Sequence, residues 1–384
     1  MIYLDNAATS WPKPESVYRT MDQFLREKGG NPGHGSHSLA VAAMGVVQET
    51  RTLVARFIRA PEIERVIFTL NCTDSINIAL KGLLKSGDHV ITSSLEHNAV
   101  TRPLKKLEQQ GVKVSYLPVS QSGTVSASDI ENAIVPATRL IVIIHGSNVN
   151  GAVQPIEEFG AIARRRNLIF MVDAAQTVGH QPVDVLAAHI DLLAFSAHKG
   201  PLGPPGVGVL YIGERVVLDT LREGGTGVQA EADLQPSIMP NRFEAGTLNS
   251  VGIAGLGAGL KYIQEQGFES IIRRESELIA RLISGLSQIP GIVLYTPPSN
   301  SEHAPVVSFN LKGYDPGEVG AILDQAFDIK VRTGLHCAPA AHRTLGTFPK
   351  GTVRLSPGVF NTSVEIDHTL QAIQQIASSK RLPA

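Results

Sequence analysis

Cysteine is scarce in this sequence: the 384 residues include only two, Cys72 and Cys337, and neither has a second thiol nearby. A disulfide framework or a cysteine-rich zinc site needs several thiols close together, so the sequence excludes both. Neither sign of charge is in excess, because 34 basic residues face 35 acidic ones and leave a net charge of −1. This balance argues against a basic protein that binds nucleic acid or a membrane surface.

Long hydrophobic runs are also missing. The most apolar stretches, Leu39–Val47 and Leu140–Ile144, are far shorter than the roughly 20 residues that span a bilayer. Residues Met1–Asn6 show no basic segment followed by an apolar one, so we expect no secretory signal and a cytoplasmic protein with reduced thiols. With 43% hydrophobic residues, the chain is long enough to bury a large core, which excludes disorder.

From residue 65 onward the sequence alternates short β-branched runs with longer amphipathic segments. The predicted strands are Val66–Thr69, His89–Ser93, Val112–Leu117, Leu140–His145, Leu168–Val172, Asp191–Phe195 and Gly206–Ile212. The helices predicted between the first five are Asp74–Lys85, Ala99–Gln110, Ser128–Val135 and Ile156–Arg166, with Asp74 and Ser128 as candidate N-caps. This alternation predicts an α/β fold with a mainly parallel seven-stranded sheet. A Gly- and Pro-rich loop joins the last two strands, so one of them can run antiparallel.

Past residue 250 the pattern changes. Two long helices, Val251–Gln266 and Ser270–Gln288, precede a set of short strands and a terminal helix, Ser363–Ser378. The short strands are Gly291–Tyr295, Val306–Leu311, Ile329–Arg332 and Thr352–Leu355. We therefore expect a large α/β domain over residues 15–250 and a smaller α+β domain over residues 251–384, which also takes in residues 1–14.

Polar clusters follow three of the predicted strands, at the edge where open α/β sheets bind their ligands. Asp173, the stretch Ser196–Lys199 and the stretch His145–Asn148 each come directly after a strand. Taken alone, such an acid is usually a helix cap and such a lysine is usually solvated. Here an acid, a lysine and hydroxyl residues are expected to meet at one edge, which favours a functional site.

This combination suits pyridoxal phosphate. The cofactor needs a lysine for a Schiff base, an acid beside its ring nitrogen and donors for its phosphate. Lys199 and Asp173 provide the first two. Ser196, His198 and the segment Asn71–Asp74, which opens a helix whose positive end attracts anions, provide the third.

Competing ligands find less support. The nucleotide-binding patterns G-x-x-x-x-G-K-[ST] and G-x-G-x-x-G are absent. The histidines of Gly33–His37 are more typical of a polar loop than of a metal site, so we expect no metal.

Six motifs, spread over most of the chain, resemble those of the cysteine desulfurases, which are class V aminotransferase-fold enzymes. They are Tyr3-Leu4-Asp5-Asn6-Ala7-Ala8-Thr9, Glu96-His97-Asn98, Val172-Asp173-Ala174-Ala175-Gln176, Phe195-Ser196-Ala197-His198-Lys199, Glu244-Ala245-Gly246-Thr247 and Arg332-Thr333-Gly334-Leu335-His336-Cys337-Ala338. The last resembles the SufS-like (group II) branch with a short cysteine loop. The resemblance implies a pyridoxal-phosphate-dependent transferase of fold type I that converts L-cysteine to L-alanine.

The resemblance also implies residue roles. Lys199 binds the cofactor covalently, Cys337 accepts sulfur as a persulfide, and His97 stacks on the cofactor ring. The implied cofactor contacts are Cys72, Thr73, His97, Asp173, Gln176, Ser196, His198 and Lys199, together with Thr247 from the other subunit of a homodimer. Asn148, Arg354, Ala7 and His37 are implied to bind substrate. The implied partners are L-cysteine or selenocysteine and a protein that accepts the sulfur, without nucleic acid, membrane or metal.

Several of these residues also have plainer interpretations. A free cysteine is usually inert core, which suits Cys72. Cys337 instead lies in a Gly- and Pro-containing stretch expected to be a mobile loop, where basic residues would favour its thiolate. Those basic residues are Arg332, His336, His342 and Arg343. His97 could simply cap a helix. Arg354 lies in an apolar context and needs an anionic partner, either a substrate carboxylate or an internal Asp or Glu.

Two departures from the family pattern concern the phosphate turn and the lysine loop. The turn usually reads Gly-Thr-Thr-Glu, whereas this chain has Asn71-Cys72-Thr73-Asp74, and the loop Gly200–Gly208 holds three prolines. Neither removes a catalytic group. Two alternatives stay open: a selenocysteine lyase, cysteine sulfinate desulfinase or other class V enzyme, and an inactive cofactor-bound partner that regulates or scaffolds sulfur transfer.

Overall fold

The computed structural model describes residues 1–33, 37–120, 123–298 and 301–379. Its strands are β1 (Ile2–Tyr3), β2 (Val66–Thr69), β3 (His89–Ser93), β4 (Lys113–Leu117), β5 (Thr138–Ile144), β6 (Ile169–Asp173), β7 (Leu192–Ser196), β8 (Gly208–Ile212), β9 (Ile292–Leu294), β10 (Val307–Leu311), β11 (Ile329–Lys330), β12 (Arg332–Gly334) and β13 (Thr352–Leu355). Its α-helices are α1 (Glu15–Glu27), α2 (Ser38–Phe57), α3 (Cys72–Leu83), α4 (Asn98–Glu108), α5 (Ala127–Ala133), α6 (Ile156–Arg165), α7 (Ser250–Gln266), α8 (Phe268–Ser287), α9 (Pro316–Phe327), α10 (Pro339–Thr344) and α11 (Ser363–Ser378).

Seven strands form the central sheet in the order β2-β8-β7-β6-β5-β3-β4. β8 runs antiparallel to both of its neighbours, and the other pairs are parallel. Apolar side chains pack on both faces of the sheet, which explains why its inner strands read as continuous hydrophobic runs. The predicted α/β fold with a mainly parallel seven-stranded sheet is therefore confirmed, and β8, after the proline-rich loop, is the antiparallel strand.

A second sheet, with the order β12-β13-β10-β9, is antiparallel throughout. Its core joins Phe309 of β10 to Leu282 of α8 and Leu323 of α9. β1 pairs in parallel with β11, and Asp5 forms a bridge to Ser356. The N-terminal segment therefore lies against the C-terminal part of the chain.

α7 begins where the sequence predicts a domain boundary. It packs against α1 and α2, and its residues Ile253, Leu256 and Leu260 belong to the core of the large sheet. The division at residue 251 stays a prediction, and residues 380–384 of the predicted smaller domain lie outside the described ranges. Among the described residues, no helix combines the length and hydrophobicity needed to cross a membrane.

Two predicted N-caps are wrong by two or three residues. α3 is capped by Asn71, whose side chain accepts the Asp74 N–H at 2.9 Å, and α5 by Ser126, whose hydroxyl accepts the Ser128 N–H at 3.2 Å. A cap accepts from an N–H two or three residues further on, so the predicted caps Asp74 and Ser128 are in fact the donors. The sequence pattern also did not predict α1, α2, α9 and α10.

Candidate active site

A cleft of about 220 Å³ opens at the carboxyl ends of β5, β6 and β7. The first turns of α3 and α4 close one side, and β12, β13 and the N-terminal segment close the other. The predicted site residues that line it are Ala7, Cys72, Thr73, His97, Asn148, Asp173, Gln176, Ser196, His198, Lys199, Cys337 and Arg354. The structure therefore brings together residues from widely separated parts of the sequence.

Two predicted residues lie elsewhere. His37 is exposed and caps α2, where its Nδ1 accepts the Ala40 N–H at 3.4 Å. Thr247 is exposed and lines a separate cavity of about 560 Å³ together with Arg51 and Glu244. Neither side chain lines the cleft that holds Lys199. Of the Gly33–His37 stretch, residues 34–36 lie outside the described residues, and the described residues contain no cluster of three or more metal-binding side chains.

Asp173 and Lys199 form the polar floor of the cleft. Asp173 Oδ1 accepts the Ala175 N–H at 3.0 Å and lies 3.5 Å from Cys72 Sγ. Its second oxygen, Oδ2, has no hydrogen-bond donor among the described residues and is available to a ring nitrogen. Burial raises the pKa of Asp173 and lowers the pKa of Lys199. A buried lysine with a lowered pKa is neutral, and therefore nucleophilic, more often than a lysine in water.

The N-terminus of α3 suits a phosphate group. The Cys72 N–H donates to Ser196 Oγ at 3.0 Å, which leaves the Ser196 hydroxyl hydrogen free to donate to a ligand. Burial, and next the Lys199 charge, lower the pKa of His198 to about 4, so its ring is neutral. Exposed Thr73 stands in the first turn of α3, where the helix dipole attracts anions.

His97 is a helix cap, as the plainer interpretation of the sequence expects, and its stacking on a cofactor ring stays a prediction. It caps α4, with Nδ1 accepting the Ala99 N–H at 3.0 Å, and it lines the cleft. Burial lowers its pKa to about 4, and the nearby Lys199 adds to this effect. Because Nδ1 is an acceptor, the neutral ring carries its proton on Nε2. This cap fixes the orientation of the ring.

Arg354 has an internal acidic partner. Its Nη2 donates to Asp5 Oδ1 at 2.8 Å, and its Nη1 donates to the Asn148 carbonyl at 3.0 Å. Two buried atoms beside them have no hydrogen-bond partner in the described chain: Arg354 Nε and Asn148 Oδ1. Buried polar atoms are rarely left unpaired, so this pair suits a polar ligand such as an amino acid.

Cys337 is exposed in the cleft, on the short loop between β12 and α10. Arg332 Nη2 lies 3.8 Å from its Sγ. His336 and Cys337 have φ angles of 45° and 58°, a left-handed conformation that non-glycine residues seldom adopt. The His336 carbonyl accepts from Asn148 Nδ2 at 2.7 Å, and the Cys337 carbonyl accepts from the Asn98 N–H at 2.8 Å. These contacts hold the loop in this conformation on both sides of Cys337, and its mobility stays a prediction.

The charges expected around Cys337 are only partly present. Arg332 touches the thiol, but burial lowers the pKa of His336 to about 2 and that of His342 to about 4. Both rings are therefore neutral near pH 7, and the expectation that they supply positive charge is wrong. Cys72 is buried as expected, and burial raises the pKa of its thiol.

Glu96 is a buried acid to which the sequence analysis assigned no role, although it opens the Glu96-His97-Asn98 motif. Its Oε1 accepts from Ser93 Oγ at 2.6 Å and from the Ile144 N–H at 3.0 Å. Oε2 has no partner among the described residues. Burial raises the pKa of Glu96 to about 8, so the folded protein keeps this carboxyl protonated near neutral pH.

Replacing this acid tests that assignment. Because the folded pKa of Glu96 lies above its unfolded value, its contribution to stability is complete at low pH and is lost as the pH rises towards 8. Glu96→Gln keeps the oxygen that accepts both hydrogen bonds and cannot ionise. We expect it to gain stability relative to wild type between pH 5 and pH 9, by on the order of 4 kcal/mol, because each pH unit between the unfolded and the folded pKa is equivalent to about 1.4 kcal/mol.

Thermal unfolding at several pH values measures this difference. Glu265→Gln, at an exposed acid, is the matched control and should show no pH-dependent difference from wild type. Parallel pH curves for Glu96→Gln and wild type would show that Glu96 is not buried in its protonated form.

Comparison with known proteins agrees with this geometry. Residues 2–369 match the family described as aminotransferase class V. A probable cysteine desulfurase from Methanothermobacter thermautotrophicus is 38% identical, over 98% of this chain and 94% of that protein. A cysteine desulfurase from Pectobacterium carotovorum is 35% identical, over 98% of this chain and 93% of that protein.

Solved structures give the same result. The apo structure of a cysteine desulfurase from Thermococcus onnurineus is 38% identical, with a TM-score of 0.92 over 98% of this chain and 94% of that one. The cysteine desulfurase CsdA from Escherichia coli is 28% identical, with a TM-score of 0.87 over 97% of this chain and 94% of that one. The chain therefore belongs to the class V aminotransferase family, as a relative of the cysteine desulfurases.

Proposed function

We propose that this protein is a cysteine desulfurase that uses pyridoxal phosphate, converts L-cysteine to L-alanine and takes the sulfur onto Cys337. The observation that carries the proposal is one cleft holding Lys199, Asp173 and an exposed thiol. The relatives named cysteine desulfurases support it.

The residues of the cleft fit the cofactor. Lys199 would hold its aldehyde, Asp173 Oδ2 its ring nitrogen and His97 its ring face. The phosphate would bind at the N-terminus of α3 with Ser196 and His198, and Gln176 would contact the ring hydroxyl. When bound, pyridoxal phosphate supplies an electron sink for the amino acid.

Side chains of the cleft would carry out the remaining steps. The amine of Lys199 would take the α-proton, because burial favours its neutral form. Arg354 and Asn148 would orient the substrate through their unpaired atoms. The Cys337 thiolate, which lies beside the Arg332 guanidinium, would form a sulfur–sulfur bond as the carbon–sulfur bond of cysteine breaks. The electron pair returns to carbon and is protonated, which leaves alanine and a persulfide on Cys337.

The short loop between Gly334 and Pro339 supports a SufS-like (group II) enzyme, and the exposure of Cys337 supports transfer of its sulfur to an acceptor protein. A cytoplasmic location, and the absence of nucleic acid and metal partners, stay predictions.

Release of alanine by the purified protein loaded with pyridoxal phosphate tests the function. We expect alanine from L-cysteine in the presence of a thiol reductant. Faster alanine release from L-selenocysteine than from L-cysteine would indicate a selenocysteine lyase. Faster release from cysteine sulfinate than from L-cysteine would indicate a sulfinate desulfinase. No alanine from any substrate would contradict the proposal and favour an inactive partner.

A homodimer with shared sites is the second part of the proposal, since Thr247 lies outside the cleft of its own chain. If Thr247 serves the neighbouring site, a Lys199→Ala chain paired with a Thr247→Ala chain has one intact site. Randomly mixed subunits should then recover about a quarter of wild-type activity, because half of the dimers are hybrids. If Thr247 serves its own site, mixing restores nothing. A molecular mass of 41.0 kDa for the fully active protein would also refute the dimer.

A further inference from the structure

The N-terminal segment crosses directly over the peptide that carries Lys199. The Ser10 N–H donates to the His198 carbonyl at 2.9 Å, and Ser10 Oγ lies 3.0 Å from the Lys199 carbonyl. Lys13 Nζ donates to the same His198 carbonyl at 2.9 Å and to Ser10 Oγ at 2.6 Å. Two residues of this segment thus hold the carbonyls on both sides of the Lys199 α-carbon.

The Lys199 carbonyl also accepts the Leu202 N–H at 2.9 Å, so the N-terminal segment is the main support only of the His198 carbonyl. β7 ends at Ser196, so Lys199 lies in a turn that no sheet ladder continues. Among the described residues, the partners of the His198 carbonyl all come from Thr9, Ser10 and Lys13. A carbonyl oxygen has two lone pairs, so these donors compete, and the charged ammonium forms the strongest bond.

Lys13 is also an unusual cation. It is partly buried, and within the described ranges no carboxylate forms an ion pair with it. Burial lowers its pKa to about 8. Taking an ammonium group out of water without a counter-ion costs free energy. Here the ammonium group donates to the His198 carbonyl and to Ser10 Oγ, which in turn contacts the Lys199 carbonyl.

We propose that Lys13 is a positioning residue whose ammonium group fixes, together with Ser10, the backbone from which Lys199 reaches the cofactor. The inference rests on the proposed function only in taking Lys199 as the residue that binds pyridoxal phosphate.

The test compares Lys13→Met, Lys13→Arg and wild-type protein, with exposed Lys81→Met as the matched control. Pyridoxal phosphate is titrated into cofactor-free protein to measure its Kd, and the visible spectrum, kcat and KM are recorded at saturating cofactor. For Lys13→Met we expect a Kd raised about tenfold and a kcat lowered about tenfold at unchanged KM, the size of one charge-assisted hydrogen bond. The visible absorption maximum should also shift. Lys13→Arg should recover most of the loss, and Lys81→Met should match wild type.

A Kd and kcat for Lys13→Met within about twofold of wild type would overturn the inference. A lower Tm with no change in Kd, kcat or the spectrum would also overturn it. If Lys13→Met does not fold, Ser10→Ala, which removes the contact to the Lys199 carbonyl, should show the same direction of change, and its absence would count equally against the inference. A wild-type protein that binds pyridoxal phosphate but releases no alanine would contradict the proposed function, while the Kd values would still decide the role of Lys13.

Discussion

Lys199→Ala is expected to abolish alanine release and to remove the visible absorption band of the bound cofactor. The physical reason is the position of the amine: it is partly buried at the floor of the cleft, burial lowers its pKa, and Asp173 lies in the same cleft. No other lysine lines the described cleft, so no second amine is placed to replace it. We expect a loss of at least about 10³-fold in kcat, since both covalent binding and proton transfer depend on this group.

The measurement is a visible spectrum with pyridoxal phosphate, followed by borohydride reduction and mass spectrometry. Lys199→Arg is the informative companion variant, because it keeps a cation without a nucleophilic amine and should be equally inactive. Lys81→Met, on the exposed side of α3, should behave as wild type. A borohydride-reducible link to the cofactor in Lys199→Ala would show that another residue binds it.

Cys337→Ala is expected to keep the cofactor and lose nearly all alanine release from L-cysteine. The thiol is exposed in the cleft, 3.8 Å from the Arg332 guanidinium, whereas Cys72 is buried and its thiol pKa is raised. A thiolate is the attacking form, so only Cys337 is placed to take sulfur. We expect a fall of about 10²-fold or more in kcat, the scale of removing one essential reacting group.

Cys72→Ala is the matched control and should keep most of its sulfur transfer. Cys72 touches Asp173 Oδ1, so a modest loss of cofactor affinity or stability is expected from this variant. Mass spectrometry after turnover should find the added 32 Da of sulfur, about one atom per chain, on Cys337. Added sulfur on Cys72, or full activity of Cys337→Ala on L-cysteine, would contradict the mechanism. Activity retained only on selenocysteine would indicate a lyase.

Local sequence was sufficient to predict the sheet and its functional edge. The strands β2 to β8 lie within two residues of the predicted ones, because strands buried on both faces need continuous apolar runs. Parallel crossovers then bring the carboxyl ends of β5, β6 and β7 to one edge, which is why Asn148, Asp173 and Lys199 could be expected together.

Tertiary structure decided which groups are charged and which are paired. The acidic partner of Arg354 is Asp5, 349 residues away in the chain, and no local pattern encodes that contact. His336 and His342 are basic residues in the sequence, but burial keeps them neutral. The sequence by itself thus determined the fold class and the chemical groups at the sheet edge, since these follow from the periodicity of apolar residues. Only the folded chain determined the protonation of these groups and the hydrogen bond from Lys13 to the His198 carbonyl, because both depend on burial and on contacts between distant segments.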